Sequence, residues 1–349
     1  MAATPQKKFT PYLPGGQAAL AAEVFETDRC AICGACVGHC PYFHYHEGRV
    51  ILRDRCTLDR GRCYDFCPMA GARGEFAGSL GRVKSVFVAQ AVRTDIRKNA
   101  QYGGVVSALV WLALSQGLIK EAVLSSGHPE RPPYGVRAKT RRDVLAASGS
   151  RYAATGTVAA LNQALAEQDA HPLGLVGTPC QIKAAAAMRQ ARPGGVPFKP
   201  KRIKLLIGLF CTWALDYRRL SSYLRFMLFG ERALGYDIPP PPGDVFKVRT
   251  GDGLKAFPLS EIRPMSLNAC RFCDDMTSTR ADVSVGAVEG LEGWNTVIVR
   301  TAAGERLIKL AKEKKVLRVD RLPPADLEHL KEAAGLKKER SVVNWSAEA

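Results

Sequence analysis

Apolar positions fall into two regimes along the chain. Before residue 80 they are brief and broken by cysteine, glycine and proline. Beyond it, short apolar runs alternate with longer segments of helical periodicity. The short runs predict strands at 84–89, 122–124, 173–176, 204–209, 245–249 and 297–300. The longer segments predict helices at 105–116, 158–166, 181–190, 218–230 and 305–315, the first closed by Gly117. Alternation of this kind predicts a layered α/β domain, in which helices cover apolar strands. The proline run 239–242 marks a surface loop or subdomain seam. The Lys- and Glu-rich tail past Val316 reads as a pair of surface helices open to a partner.

The first regime divides further. Pro5, Pro11 and Pro14 discourage helix and predict an extended lead over residues 1–22. Residues 23–80 form a separate module, its cysteines falling between 23 and 69. Gly71, Gly74 and Gly78 make 70–80 a linker into the α/β domain.

Length and composition narrow the class. A chain of 349 residues fits two or three domains, and 46% hydrophobic residues is ordinary for globular cores. No apolar stretch reaches transmembrane length. The first ten residues lack the apolar core of a signal peptide, so the eleven cysteines are expected in a reducing cytoplasm, serving metals and not disulfides. The net charge of +17 is spread over basic groups at 7–8, 137–142, 199–204, 312–315 and 337–340. Aromatic residues are not interleaved with them for base stacking, and no nucleic-acid motif accompanies them. Acidic redox partners and an anionic coenzyme fit this charge better than nucleic acid.

The cysteine spacing supplies the chemistry. Cys30, Cys33, Cys36, Cys40 and Pro41 give C-x2-C-x2-C-x3-C-P, the bacterial ferredoxin run that wraps a loop around a 4Fe-4S cluster. Three thiolates serve one cluster and the fourth reaches its neighbour. Gly34, Ala35 and Gly38 provide the small residues that such tight turns need. A second, incomplete copy follows at Cys56, Cys63, Cys67 and Pro68. By ferredoxin logic Cys67 joins Cys30, Cys33 and Cys36, while Cys40, Cys56 and Cys63 leave one iron of a second cluster without a thiolate. Asp59, three residues after Cys56, is the candidate fourth ligand; a three-iron cluster, or an ordinary turn role for Asp59, is the alternative. Zinc would prefer more widely separated pairs and has no use for the C-x3-C-P ending.

Downstream, Cys180 and Cys211 each follow a predicted strand, and Cys270-x2-Cys273 forms a pair. Their number and strand-end placement favour a further cluster over buried structural thiols. Glycine-rich turns occur at 101–104, 149–152, 177–179 and 284–286. Gly103-Gly104 before the helix at Val105 offers a site where a phosphate would meet free N–H groups and the helix dipole. No complete G-x-G-x-x-G follows a strand, so a Rossmann nucleotide site is not indicated.

In this order, several of these segments resemble the coenzyme F-420 hydrogenase/dehydrogenase beta-subunit family. The matching stretches are Tyr102-Gly103-Gly104-Val105-Val106-Ser107, Gly149-Ser150-Arg151-Tyr152, Val176-Gly177-Thr178-Pro179-Cys180-Gln181, Ile207-Gly208-Leu209-Phe210-Cys211, Cys270-Arg271-Phe272-Cys273 and Ala281-Asp282-Val283-Ser284-Val285-Gly286. The resemblance spans nearly all of residues 25–310. It implies the family's N-terminal part at 81–170, its C-terminal part at 171–349, and a non-Rossmann α/β flavin-binding domain behind a ferredoxin-like α+β module. It also implies FAD beside an iron–sulfur cluster held by Cys180, Cys211, Cys270 and Cys273. Gly103, Gly104, Ser107, Ser150, Tyr152 and Thr178 are the implied FAD contacts, and Lys139, Arg141 or Lys183 would meet an anionic coenzyme tail.

The implied activity is that of an FAD-dependent iron–sulfur oxidoreductase subunit, exchanging hydride with a deazaflavin (coenzyme F-420) or a nicotinamide. Single electrons would pass through the clusters to a partner such as a hydrogenase, a formate dehydrogenase, a heterodisulfide-reductase-like subunit or ferredoxin. A non-catalytic electron relay and a direct flavin-dependent reductase of an organic substrate are the alternatives. Substitutions across 284–290 weaken any inference about coenzyme specificity there.

Overall fold

In the cysteine-rich region, β1 (Phe43–His46) and β2 (Arg49–Leu52) pair as an antiparallel hairpin. β3 (Ser85–Ala91), β4 (Glu121–Ser126), β5 (Tyr134–Ala138), β6 (Leu173–Gly177) and β7 (Ile203–Leu209) follow it. β8 (Gly235–Asp237), β9 (Val245–Thr250) and β10 (Gly253–Pro258) make a separate antiparallel sheet. β11 (Val283–Ala287), β12 (Asn295–Val299) and β13 (Leu317–Asp320) complete the strands. These elements come from a computed structural model, which describes residues 15–71, 78–191, 198–240 and 243–347. Of the extended lead expected over 1–22, residues 1–14 lie outside the described residues, as do the middle of the 70–80 linker and Pro241 and Pro242. Its described end is corrected, since Gln17–Phe25 is helical and buries Leu20 and Val24.

Eight strands form one mixed sheet in the order β13-β3-β12-β11-β7-β6-β4-β5. β11, β7, β6 and β4 run parallel, and β3 shares their direction because β12 is antiparallel to both of its neighbours. The C-terminal ends of β3, β4, β6, β7 and β11 therefore meet at one edge. That edge is where open α/β sheets place their ligands.

Side-chain alternation separates the two faces of this sheet. Ala122, Leu124, Leu205 and Ile207 join a core with helix α1 (Val105–Ser115). Val123, Leu175 and Leu206 join the opposite core with α2 (Thr157–Ala166) and α3 (Pro179–Gln190). Helix α4 (Tyr217–Met227) packs Leu220 and Leu224 against Phe246, Val248 and Phe257 of the small sheet, giving it a core of its own. Pro239 and Pro240 lie in the loop between β8 and β9, two strands of the same small sheet, so the proline run marks a loop within this subdomain and not a seam. Leu307 and Ile308 of α5 (Ala302–Glu313) return to the first core.

Two further sequence expectations are corrected. Past Val316 the chain does not form two helices: β13 adds to the sheet edge, and a single helix, α6 (Pro324–Ala347), follows. Ser284-Val285-Gly286, read as a turn, lies inside β11, where Ser284 is fully buried. In β11 and α6 the buried polar residues Ser284, Lys337 and Ser341 mask the apolar period.

The cysteine-rich region docks closely on the α/β domain. Cys33 O accepts from Val158 N (3.0 Å) and so caps the N-terminus of α2. Asn162 Nδ2, buried in the same helix, donates to Ala35 O (3.0 Å) and Val37 O (2.6 Å). Arg49 pairs with Asp216 at 3.0 Å. The cysteine loop is thereby fixed relative to the sheet edge.

Candidate metal and cofactor centres

All eleven cysteines are free thiols, and none is exposed. Burial raises their pKa values: Cys30 and Cys63 rise to about 11, and Cys67 and Cys180 to about 12. Cys33, Cys36, Cys211 and Cys270 are also pushed up, chiefly by burial. Charge on neighbouring sulfurs is a further cause, and these couplings sort the thiols into three sets. Cys33 feels Cys67 and Cys36, and Cys36 feels Cys30 and Cys67. Cys63 feels Cys40 and Cys56. Cys211 feels Cys270, Cys180 and Cys273.

The sets form a row. Cys36 also feels Cys63, linking the first set to the second. Cys30 and Cys33 feel Cys180, linking the first set to the third. The first set thus lies between the other two, and the third lies at the sheet edge. Cys180 follows β6 and Cys211 follows β7, which are adjacent parallel strands. Pro68, Met69, Lys183, Cys180, Phe272, Cys273 and Asp275 line a small cavity where the first and third sets adjoin.

Local geometry suits the cysteines to be ligands. Gly34 and Gly38 take φ of +81° and +85°, as their expected turn role requires. Backbone amides point at sulfur: Ile32 N at Cys30 (3.4 Å), Leu58 N at Cys56 (3.5 Å) and Ala214 N at Cys270 (3.3 Å). Thr178 Oγ1 lies 3.3 Å from Cys180 Sγ. Such bonds stabilise thiolate and tune a cluster's potential. Among the described residues, no three His, Cys, Asp or Glu side chains stand together as ligands of a single metal ion. Asp59 is exposed in the loop between Cys56 and Cys63.

The implied FAD contacts gather on two segments. Gly104, at φ +73°, starts α1, and a Cβ on Gly103 would lie 2.8 Å from Asn295 Oδ1 and 3.0 Å from Ala89 O. Val105 N donates to that same Asn295 oxygen (3.3 Å), so a side chain already engages one N–H of the expected phosphate site. Ser107 Oγ lies 3.2 Å from Ser148 Oγ, which brings α1 beside the 148–152 loop with its exposed Ser150. Tyr152 OH accepts from Ile238 N (2.9 Å) and from Gln101 Nε2 (2.5 Å), while Tyr102 OH donates to Ile238 O (3.2 Å). Gln101 Nε2 also donates to Asp237, and Gln101 Oε1 is buried with no partner. Thr178 stands apart from this group, as the N-cap of α3 next to Cys180.

Of the basic residues expected to meet a coenzyme tail, Arg141 pairs with Asp95, and Lys139 pairs with Glu121 at 3.5 Å. Lys183 instead lines the cavity between thiol sets.

Two contributions escaped the sequence reading. Asn162 carried a signal, an amide in helical register with the apolar positions Val158, Leu161 and Leu165. Lys337 carried none; it is 3% exposed on α6, and its Nζ donates to Cys211 O (2.7 Å) and Asp275 O (3.0 Å). Burial alone would push its pKa down, but Cys273, Cys211, Cys270 and Asp275 hold it above the usual value.

Comparison with known proteins agrees with this architecture. Residues 86–162 match the model of the coenzyme F-420 hydrogenase/dehydrogenase beta-subunit N-terminus, and residues 171–325 match that of the C-terminus. The beta subunit of the coenzyme F-420 hydrogenase of Methanothermobacter thermautotrophicus is 32% identical over 77% of this chain and 96% of its own length. One subunit of the F(420)H(2) dehydrogenase of Methanosarcina mazei is 27% identical over 88% of this chain and 89% of its own. A chain of the F-420-reducing NiFe hydrogenase complex from Methanosarcina barkeri superimposes with a TM-score of 0.70 at 26% identity, covering 78% of this chain and 94% of that one. The sequence, the fold and both halves of the family pattern place this chain in the coenzyme F-420 hydrogenase/dehydrogenase beta-subunit family.

Proposed function

We propose that the protein is the flavin- and iron–sulfur-bearing subunit of a coenzyme F-420-dependent oxidoreductase complex. The observation that carries this reading is the row of three thiol sets, running from the N-terminal module to the sheet edge. Such a row suits stepwise passage of single electrons, since each set adjoins the next. Relatives named as subunits of an F-420 hydrogenase and an F(420)H(2) dehydrogenase support the carrier and a redox partner.

The division of labour follows the fold. Residues 23–80 would be a ferredoxin-like module holding the centre on Cys30, Cys33, Cys36 and Cys67. A second centre would sit on Cys40, Cys56 and Cys63. The family's N-terminal part (81–170) and C-terminal part (171–349) would hold FAD, without a Rossmann motif, and the centre on Cys180, Cys211, Cys270 and Cys273. FAD would supply the conversion between hydride and single-electron transfer. Gly103, Gly104 and Ser107 would approach it from α1, with Ser150 and Tyr152 opposite and Thr178 toward Cys180. The unpartnered Gln101 Oε1 is the buried polar atom that a bound ring N–H would satisfy. No described helix is long and apolar enough to cross a membrane.

Anaerobic purification followed by iron, acid-labile sulfide and flavin analysis tests the reading. Stoichiometric FAD with iron and sulfide for three centres is the expected result. Iron and sulfide without flavin would leave only the relay, and a colourless protein would remove both.

The second N-terminal centre has its own test. If Asp59 is the fourth ligand, Asp59→Ala lowers the iron count by about one per chain and changes the EPR signal of a single centre. An unchanged signal assigns that centre as three-iron, or as ligated from elsewhere.

A further inference from the structure

α6 lies almost wholly beyond the segment that matches the family, which ends at residue 325. Its inward face is built from residues one turn apart: Lys337 and Ser341 are 3% and 2% exposed, and Trp345 is half-buried. Ser341 Oγ donates to Phe272 O (2.7 Å), and Trp345 Nε1 donates to the same carbonyl (3.0 Å). Asn344 Nδ2 donates to Arg271 O (2.9 Å). Three side chains of one helix thus hold the two residues enclosed by Cys270 and Cys273. The Arg29 guanidinium lies over both Phe272 (4.7 Å) and Trp345 (4.1 Å), joining the same contact to the residue before Cys30.

Lys337 is the deepest member of this face. Its two hydrogen bonds go to neutral carbonyls, and among the described residues no salt bridge joins it to a carboxylate. The nearby Asp275 carboxylate is already engaged by Thr277 N (3.1 Å), Thr279 N (2.8 Å) and Thr279 Oγ1 (3.0 Å). Carbonyls can solvate a buried ammonium but do not cancel its charge, and an uncompensated buried charge is strongly destabilising. Asp275 lends part of the opposing charge, and the other groups around Lys337 are Cys211, Cys270 and Cys273. As thiolates on iron they form an anionic centre; as thiols they do not.

We propose that Lys337 is the resident counter-cation of the centre at Cys180, Cys211, Cys270 and Cys273, and that α6 is the strap that seats it there. This rests on the reading of those four cysteines as cluster ligands. Lys337 touches no sulfur-bound iron itself and acts as a positioning residue. Its fixed positive charge favours the reduced, more negative state and so raises the potential of this centre above what the thiolates alone would set.

The test uses the full chain, loaded anaerobically, as wild type, Lys337→Met and Lys337→Arg. Iron and sulfide are counted and each centre is titrated by EPR, with Cys270→Ser identifying the signal of this one. In Lys337→Met the midpoint potential of this centre is expected to fall by about 59 mV or more, a tenfold loss in the equilibrium constant for one-electron reduction. Lys337→Arg should recover most of the shift, and the other centres serve as the internal reference. Loss of this centre's iron in Lys337→Met but not in Lys337→Arg would also support the proposal. Retained iron with an unshifted potential would overturn it, as would equal shifts or equal iron loss in both variants, which would show packing and not charge. Iron-free wild type would overturn the parent reading as well; iron-loaded wild type with an unshifted Lys337→Met would overturn this one alone.

Discussion

Cys180→Ser is expected to sever the electron path while leaving the fold in place. Cys180 is coupled both to Cys30 and Cys33 of the first set and to Cys270 and Cys273 of the third. It thereby joins the sheet edge to the N-terminal module. The exchange of sulfur for oxygen is nearly isosteric. Thr178 would still cap α3 through its capping box with Gln181, and Pro179 would still occupy the first turn. Stability should therefore change little. Iron should drop by about one centre of three, because a serine hydroxyl is a poor substitute for a soft thiolate. Reduction of a one-electron dye by reduced F-420 should fall by more than the about 10–100-fold that loss of an outer-shell partner costs at a metal site. Flavin content and its bleaching by the hydride donor should persist. Undiminished iron together with undiminished dye reduction would remove Cys180 from the path.

Gly34→Ala is the second large effect, and it acts through the backbone. Gly34 has φ of +81°, and an added Cβ would lie 2.9 Å from both Ala159 N and Gly156 O. Those atoms belong to the start of α2 and the residue that precedes it, so they cannot rotate away as a side-chain end would. Left-handed strain and overpacking together should cost about 2 kcal/mol or more. The first cysteine loop would have to lift from α2, losing the Cys33–Val158 and Asn162 hydrogen bonds. A lowered thermal midpoint and iron loss from the first centre are the expected readouts. Gly78→Ala is the matched control: its φ is +70°, but a Cβ there meets nothing within 4 Å, so it carries the strain without the collision. Equal losses in the two variants would show that close docking on α2 plays no part.

Particular residues show why some elements could be read from the chain and others not. The strand at 204–209 was visible as a short continuous apolar run, because both of its faces are buried, and the helix at 105–116 as a longer apolar segment closed by Gly117. β13 escaped because Arg318 and Asp320 interrupt its four residues at a sheet edge. α6 escaped as an inward-facing helix because Lys337 and Ser341 pack beside Ala334 and Trp345 while Leu336, Val342 and Val343 are exposed, so the apolar period does not mark the packed side.

The ligand sets divide in the same way. Local spacing along the chain was enough to predict that Cys30, Cys33 and Cys36 share one loop, since turns of two residues leave few other arrangements. It was also enough to mark a cysteine-rich protein with an α/β body. Local spacing could not bring Cys180, Cys211 and the Cys270–Cys273 pair together; parallel pairing of β6 with β7 and the packing of the 267–273 loop do that. Nor could it order the three sets in a row or bury Lys337 beside the last of them. Those facts depend on contacts between residues tens to hundreds of positions apart, which exist only once the sheet has closed and the two ends of the chain have packed against its edge.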